Sequence, residues 1–222
     1  MMICHECYVD RRAVPRLALV KQAMWIPGST ISVGFIGGTD KQRTAVIEHM
    51  SEWTEYANIN LVFSKHGDST FGHEVRVSFV EGKGSWSYVG AECRYVDSRK
   101  PTMNFGWLTS ETRLDKWRAT ILHESGHMLG AIHEHQSPAA KIPWNKKAVY
   151  SYYWNAARWS KAKVDTNIFK RYGNEVTNSK FDPESIMLYS IPASLTDGNY
   201  HTDWNSDLSE GDKEFISRMY PR

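Results

Sequence analysis

Cysteine is scarce in this chain. Only Cys4, Cys7 and Cys93 occur in 222 residues. An odd number at that density excludes a disulfide framework, and the single C-x-x-C of Cys4 and Cys7 has no second pair to complete a four-thiolate metal site. Long apolar runs are missing too. Nothing approaches the roughly 20 residues of a membrane span. The N-terminal stretch MMICHECYVDRRAVPRLALVKQAMW interrupts every short apolar run with charge, so it lacks the pattern of a secretory leader. Neither sign of charge dominates: 27 Lys and Arg against 25 Asp and Glu give +2. That balance gives no ground for nucleic-acid binding through bulk charge. There is no internal repeat and no low-complexity segment. What is present is ample for a core: 41% hydrophobic residues, in a chain long enough to bury roughly 70% of its extended surface.

The pattern along the chain is α+β. Residues 1–28 read as an N-terminal extension or pro-segment ending at the Pro27-Gly28 turn signal. Residues 29–222 read as a single domain, with a sheet-and-helix lobe over 29–130 and an irregular, helical lobe over 131–222. Thr30–Ile36 alternates like a strand and stops at Gly37-Gly38. Asp40 is placed to cap a helix reaching about Ala57, with Val46, Met50, Trp53 and Ala57 on one face. Ile59–Phe63, Glu74–Val80, Ser85–Val89 and Met103–Trp107 read as further strands. A helix begins near Glu111 and carries Leu114, Trp117, Ile121 and Met128. Two more are expected near Asn145–Ala157 and Ser160–Tyr172, then a loop region over 174–205. A last helix over Ser209–Tyr220 carries Ser209 and Asp212 in near capping-box spacing.

The chemistry is concentrated in His123-Glu124-Ser125-Gly126-His127-Met128-Leu129-Gly130-Ala131-Ile132-His133. On a helix, His123 and His127 share a face, and two imidazoles at that spacing can reach one ion. Glu124 points beside such an ion, where a general base for its water belongs. Gly130 tolerates a positive φ, so it can end the helix and swing the chain to bring His133 back as a third ligand. Three ligands leave one position open, the mark of a catalytic zinc. A solvated helix face is a poor alternative, because three His, a Glu and a Gly at these offsets seldom coincide.

This stretch resembles the metzincin zinc endopeptidases, whose pattern is H-E-x-x-H-x-x-G-x-x-H followed by a Met-turn. The second half of that pattern is also present. Phe181-Asp182-Pro183-Glu184-Ser185-Ile186-Met187-Leu188-Tyr189 is similar to the Ser-x-Met-x-Tyr turn of the astacin branch. The resemblance implies a zincin-like fold: an N-terminal mixed, twisted sheet, a backing helix and an active-site helix, then an irregular C-terminal lobe with a terminal helix. It implies one catalytic Zn2+ held by His123, His127 and His133. It implies Glu124 as general base, Met187 under the imidazoles, and Tyr189 as a hydrogen-bond donor to the oxyanion. His135 is read as a supporting residue, since the motif already supplies three ligands. The residues after Glu134 and the cysteine pattern depart from animal astacins, so a non-animal branch fits better.

By the same resemblance, an extended protein or peptide substrate pairs with the edge strand of the sheet. That edge is expected at Thr102 to Trp107, making Met103, Asn104, Phe105 and Gly106 substrate-binding residues. The implied enzyme is a monomeric, extracellular metalloendopeptidase with no nucleic-acid partner. An inactive metzincin-fold binding protein and a zinc hydrolase of small amides remain as alternatives. For Cys4-His5-Glu6-Cys7, a latency role over the zinc stands against an ordinary mobile tail.

Overall fold

The structure is a computed structural model that describes residues 23–65, 72–172 and 180–222. The Cys4–Cys7 segment lies outside them. The chain divides into two compact units, one reaching Ala131 and taking in Ser206–Arg222, the other spanning Ile132–Asn205.

The first unit is built on a five-stranded mixed sheet of order β2-β1-β3-β5-β4. Its strands are β1 (Thr30–Ile36), β2 (Asn60–Phe63), β3 (Val75–Ser78), β4 (Ser85–Ser87) and β5 (Met103–Phe105). β1 runs parallel to β2 and β3, and β3 runs parallel to β5; only β4 is antiparallel, with Trp86 opposite Asn104. Ile31, Val33, Val75 and Val77 are buried, as period-two patterning requires.

Helix α1 (Asp40–Ser51) follows β1. Its cap is Thr39 rather than Asp40: the Thr39 hydroxyl accepts from Gln42 N–H while the Gln42 side chain accepts from Thr39 N–H. The helix ends earlier than periodicity suggests, because the chain tightens into a 3-10 turn over Glu52–Glu55. The expected apolar face survives the change, and Val46, Met50, Trp53 and Ala57 are all buried. The Trp53 indole donates to the Leu122 carbonyl of α2 (Leu114–Met128) at 3.0 Å, which locks the two helices together. Arg118 of α2 bridges Glu52 at 2.7 Å and also reaches Asp207.

The edge of the sheet is not where the sequence pattern put it. Met103–Phe105 lies inside, paired on both sides, and β4 takes the end position. The turn after β3 folds β4 back over β5, and Asn104 pins that turn. Its Nδ2 donates to the Gly84 carbonyl at 2.6 Å and its Oδ1 accepts from Val80 N–H at 2.8 Å. A Cβ on Gly106 would meet the Gly84 and Val80 carbonyls at 2.5 and 2.7 Å, so glycine is required there for close backbone approach. Met103, Asn104 and Phe105 are about 1% exposed or less. Met103, Asn104 and Phe105 therefore lie inside the sheet and not at the expected edge, with Gly106 at the turn that follows. Alternation alone could not have distinguished a covered strand from its antiparallel cover.

Two further expectations are corrected. Ala23 and Trp25 are buried, so the folded body begins ahead of residue 29. The terminal helix α5 (Glu210–Met219) groups with the first unit, not with the lobe after 130. It does have the capping box that Ser209 and Asp212 announce. Its end is stitched to the 3-10 turn region, where Asn58 N–H donates to Tyr220 O and Ser217 Oγ to Tyr56 O.

Glu74, just before β3, joins two parts of this unit. Its carboxylate accepts from Ser32 N–H at 2.8 Å and pairs with Arg94 at 2.7 Å. Partial burial pushes the carboxyl up, but the hydrogen bonds from Ser32 and Arg94 outweigh it and hold the group below its ordinary value. A carboxylate with a depressed folded-state pKa stabilises above its unfolded pKa and loses that contribution as pH falls through the folded one. Glu74→Gln therefore costs about 1 kcal/mol at neutral pH. The difference from the parent shrinks as the pH drops below about 4. Urea titrations of both proteins at pH 7 and at acid pH check this; a pH-independent difference would rule it out.

The second unit holds α3 (Lys146–Ala157), capped by Asn145, and a short α4 (Lys161–Val164) that widens into a π-turn over Asp165–Phe169. The single helix expected over 160–172 is thus cut short. Its small core gathers Ala140, Ile142, Leu188 and Ile191 against Trp144, Phe181 and Tyr200. Among the described residues, no helix is long and apolar enough to cross a membrane.

Candidate metal centre

Helix α2 delivers the first two histidines. His123 and His127 sit one turn apart, and their Nε2 atoms face each other at 3.2 Å. The His127 Nδ1 lies 2.8 Å from the Ala131 carbonyl. A carbonyl only accepts, so Nδ1 carries the proton and Nε2 presents its lone pair, the tautomer a metal needs.

The helix ends as the Gly130 argument requires. Gly130 has φ +95. Gly130 N–H donates to His127 O and Ala131 N–H to Gly126 O, at 2.8 and 2.9 Å. This is a Schellman closure with glycine at its left-handed position. The carbonyls exposed at the helix end are held by distant donors. Met128 O accepts from the Trp25 indole at 2.8 Å, and Leu129 O from the Tyr220 hydroxyl at 2.6 Å. Burial pushes the Tyr220 phenol up to about 12, so it remains a proton donor at any physiological pH. Neither Trp25 nor Tyr220 belongs to any motif, and only three-dimensional proximity shows their part.

Beyond the turn comes His133. One nitrogen from each of His123, His127 and His133 lies within 4.8 Å of the others. Ligand nitrogens at tetrahedral zinc are about 3.3 Å apart, so the His123–His127 spacing already suits that ion. A neutral-imidazole donor set is what borderline-soft Zn2+ takes. Glu124, one residue after His123, is almost fully buried.

In the second unit the Met-turn is pinned from several sides. Met187 N–H donates to Ser185 Oγ at 3.0 Å, and Leu188 N–H to Ser185 O. Asn205 Nδ2 donates to the carbonyls of Pro183 and Ser185. Glu134, next to His133, joins this turn twice: its N–H donates to Met187 O, and its carboxylate accepts from Asp182 N–H, both at 3.0 Å. The Tyr189 ring lies 4.3 Å from the His133 ring and 4.9 Å from that of His135. His135 itself is tied to the π-turn through Nε2 and the Asn167 carbonyl at 2.9 Å, and Gln136 donates to Thr166 O beside it. Asn205, Gln136 and the π-turn were not visible in the sequence pattern.

Sheet, active-site helix and a converging histidine triad make this protein a zinc metalloendopeptidase of the metzincin class. The sequence model of the Astacin peptidase family matches residues 19–207, and the chain belongs to that family. Among solved structures, one of myroilysin superposes with a TM-score of 0.86 at 42% identity, covering 91% of this chain and 98% of that one. A crystal structure of myroilysin gives 0.69 at 41% identity, over 90% and 86%. High choriolytic enzyme 1, a hatching-enzyme zinc-protease from the medaka fish Oryzias latipes, gives 0.61 over 90% and 95%; at 16% identity that likeness concerns the fold alone. No curated protein sequence matches the chain.

Proposed function

We propose that this enzyme, working as a single catalytic domain and as a monomer outside the cell, cleaves internal peptide bonds with one zinc ion held by His123, His127 and His133. The observation that carries the reading is the gathering of those three ligand nitrogens within 4.8 Å. When bound, zinc polarises the scissile carbonyl and lowers the pKa of a coordinated water toward about 7. Glu124 accepts the proton from the attacking water and returns it to the leaving amine. Its position one residue past His123 and its burial support that role. Tyr189 donates its phenolic hydrogen to the developing oxyanion; its half-buried place against His133 supports this. Met187 floors the histidines, a role supported by the bond from Glu134 N–H to its carbonyl. Extended substrate adds to the sheet at β4, Ser85–Ser87, which occupies the end position.

Digestion of casein, with and without a chelator, tests the whole reading. Internal cleavage that stops with the chelator and returns with one equivalent of zinc is the expected result. Cleavage of small amides but no protein would overturn the endopeptidase assignment.

A further inference from the structure

Charge is unevenly placed in this nearly neutral chain. Residues 141–172 hold Lys141, Lys146, Lys147, Arg158, Lys161, Lys163, Lys170 and Arg171 against one acid, Asp165, while the whole chain nets only +2. Seven of those eight cations are exposed, Lys163 being half-buried.

The aromatic rings show that part of this charge shares one surface. Tyr150 and Phe169 meet edge to face at 5.4 Å. Lys146 lies over the Phe169 ring at 5.3 Å and Lys161 over the Tyr150 ring at 5.5 Å. Lys170 adjoins Phe169 in the chain and lies 5.7 Å from the Tyr172 ring. The Tyr150 hydroxyl donates to the Asp165 carboxylate, the one acid of this stretch. Asp197 reaches the Asn145 amide at the start of α3.

The helix dipole does not explain this placement. Lys146 and Lys147 occupy the first turn of α3, which has no acid, and the dipole is already positive there. Cations at that end are disfavoured by the dipole, and residues placed against such a local term are candidates for binding. The patch is also rooted beside the candidate metal centre within its own unit. Phe169 packs on Trp144, Trp144 on His135, and His135 on both His133 and Tyr189.

We infer that the Lys146–Lys161–Lys170 face is a docking site for acidic segments of the enzyme's protein substrates, separate from the residues that flank the scissile bond. The inference rests on the peptidase reading above. Charge complementarity selects the partner. Ammonium groups spread over aromatic rings suit a flexible run of carboxylates, which attraction can hold near the enzyme without a fixed fit. Tethered there, a substrate presents its cleavable bond at a raised local concentration.

The test uses one neutral, cleavable peptide carrying either a run of glutamates or a Gly/Ser run of equal length, attached in turn at each end. The full chain loaded with zinc is compared with its Lys146→Glu/Lys161→Glu/Lys170→Glu variant, and with the milder Lys→Gln triple variant. The parent is expected to prefer the glutamate-tailed substrate by about tenfold in kcat/KM. That preference shrinks as salt rises. The variants lose it but cut the Gly/Ser-tailed peptide at the parental rate, which also shows that they fold. Anisotropy of a labelled glutamate peptide, which is not cut, reads the docking without any turnover. Tail binding without cleavage of either substrate would sink the peptidase reading and leave the face standing. Equal preference in parent and variants overturns the inference. So does binding of DNA, a sulfated polysaccharide or phosphatidylserine vesicles through these lysines with no preference for the glutamate tail.

Discussion

Glu124→Gln is expected to lower turnover by about 10²- to 10⁴-fold, the usual contribution of a positioned general base. The substitution keeps side-chain volume in a site that is almost fully buried, so packing survives. Glutamine cannot accept the proton that the proposed mechanism passes from water to the carboxylate. Zinc content, measured on the purified protein, should stay at one equivalent, because the proposed ligands are the three imidazoles. A variant that turns over a peptide at near-parental rate would remove Glu124 from the reaction. A variant that also loses its zinc would make it a ligand or a structural residue instead.

The second large effect is loss of the metal. Alanine at His123, His127 or His133 should each abolish zinc retention and bring peptidase activity to background, since two imidazoles do not make a closed zinc site. His127 has a second task that survives without metal: its Nδ1 holds the Ala131 carbonyl, at the point where α2 ends. His127→Ala therefore costs about 1–2 kcal/mol relative to the zinc-free parent. Thermal denaturation of the two zinc-free proteins reads this directly. Equal stabilities would show that the Nδ1 bond contributes nothing to the fold.

The residues that hold the site were legible because their chemistry depends on fixed spacing. An i, i+4 pair on a helix, a glycine and a third histidine make a local pattern, and so does the Met-turn. Ser209 with Asp212 was legible for the same reason: a capping box spans four residues. The edge of the sheet was not legible, because β4 and β5 alternate alike and only Asn104 and the turn it pins decide which one covers the other. The helix expected over 160–172 shows a different limit. Its residues suit a helix, but His135 and Gln136 draw on the Asn167 and Thr166 carbonyls, and the chain widens there to supply them. The basic face is hidden in the composition because net charge sums over the whole chain and conceals what is segregated along it.

The end of α2 has a consequence for the order of assembly. Its last two carbonyls are satisfied by Trp25, 103 residues upstream of Met128, and by Tyr220, 91 residues downstream of Leu129. Contacts so far apart in sequence form late, because a long stretch of chain must be ordered before they close. During synthesis the ring of bonds around the ligand-bearing helix cannot shut until Tyr220 has left the ribosome.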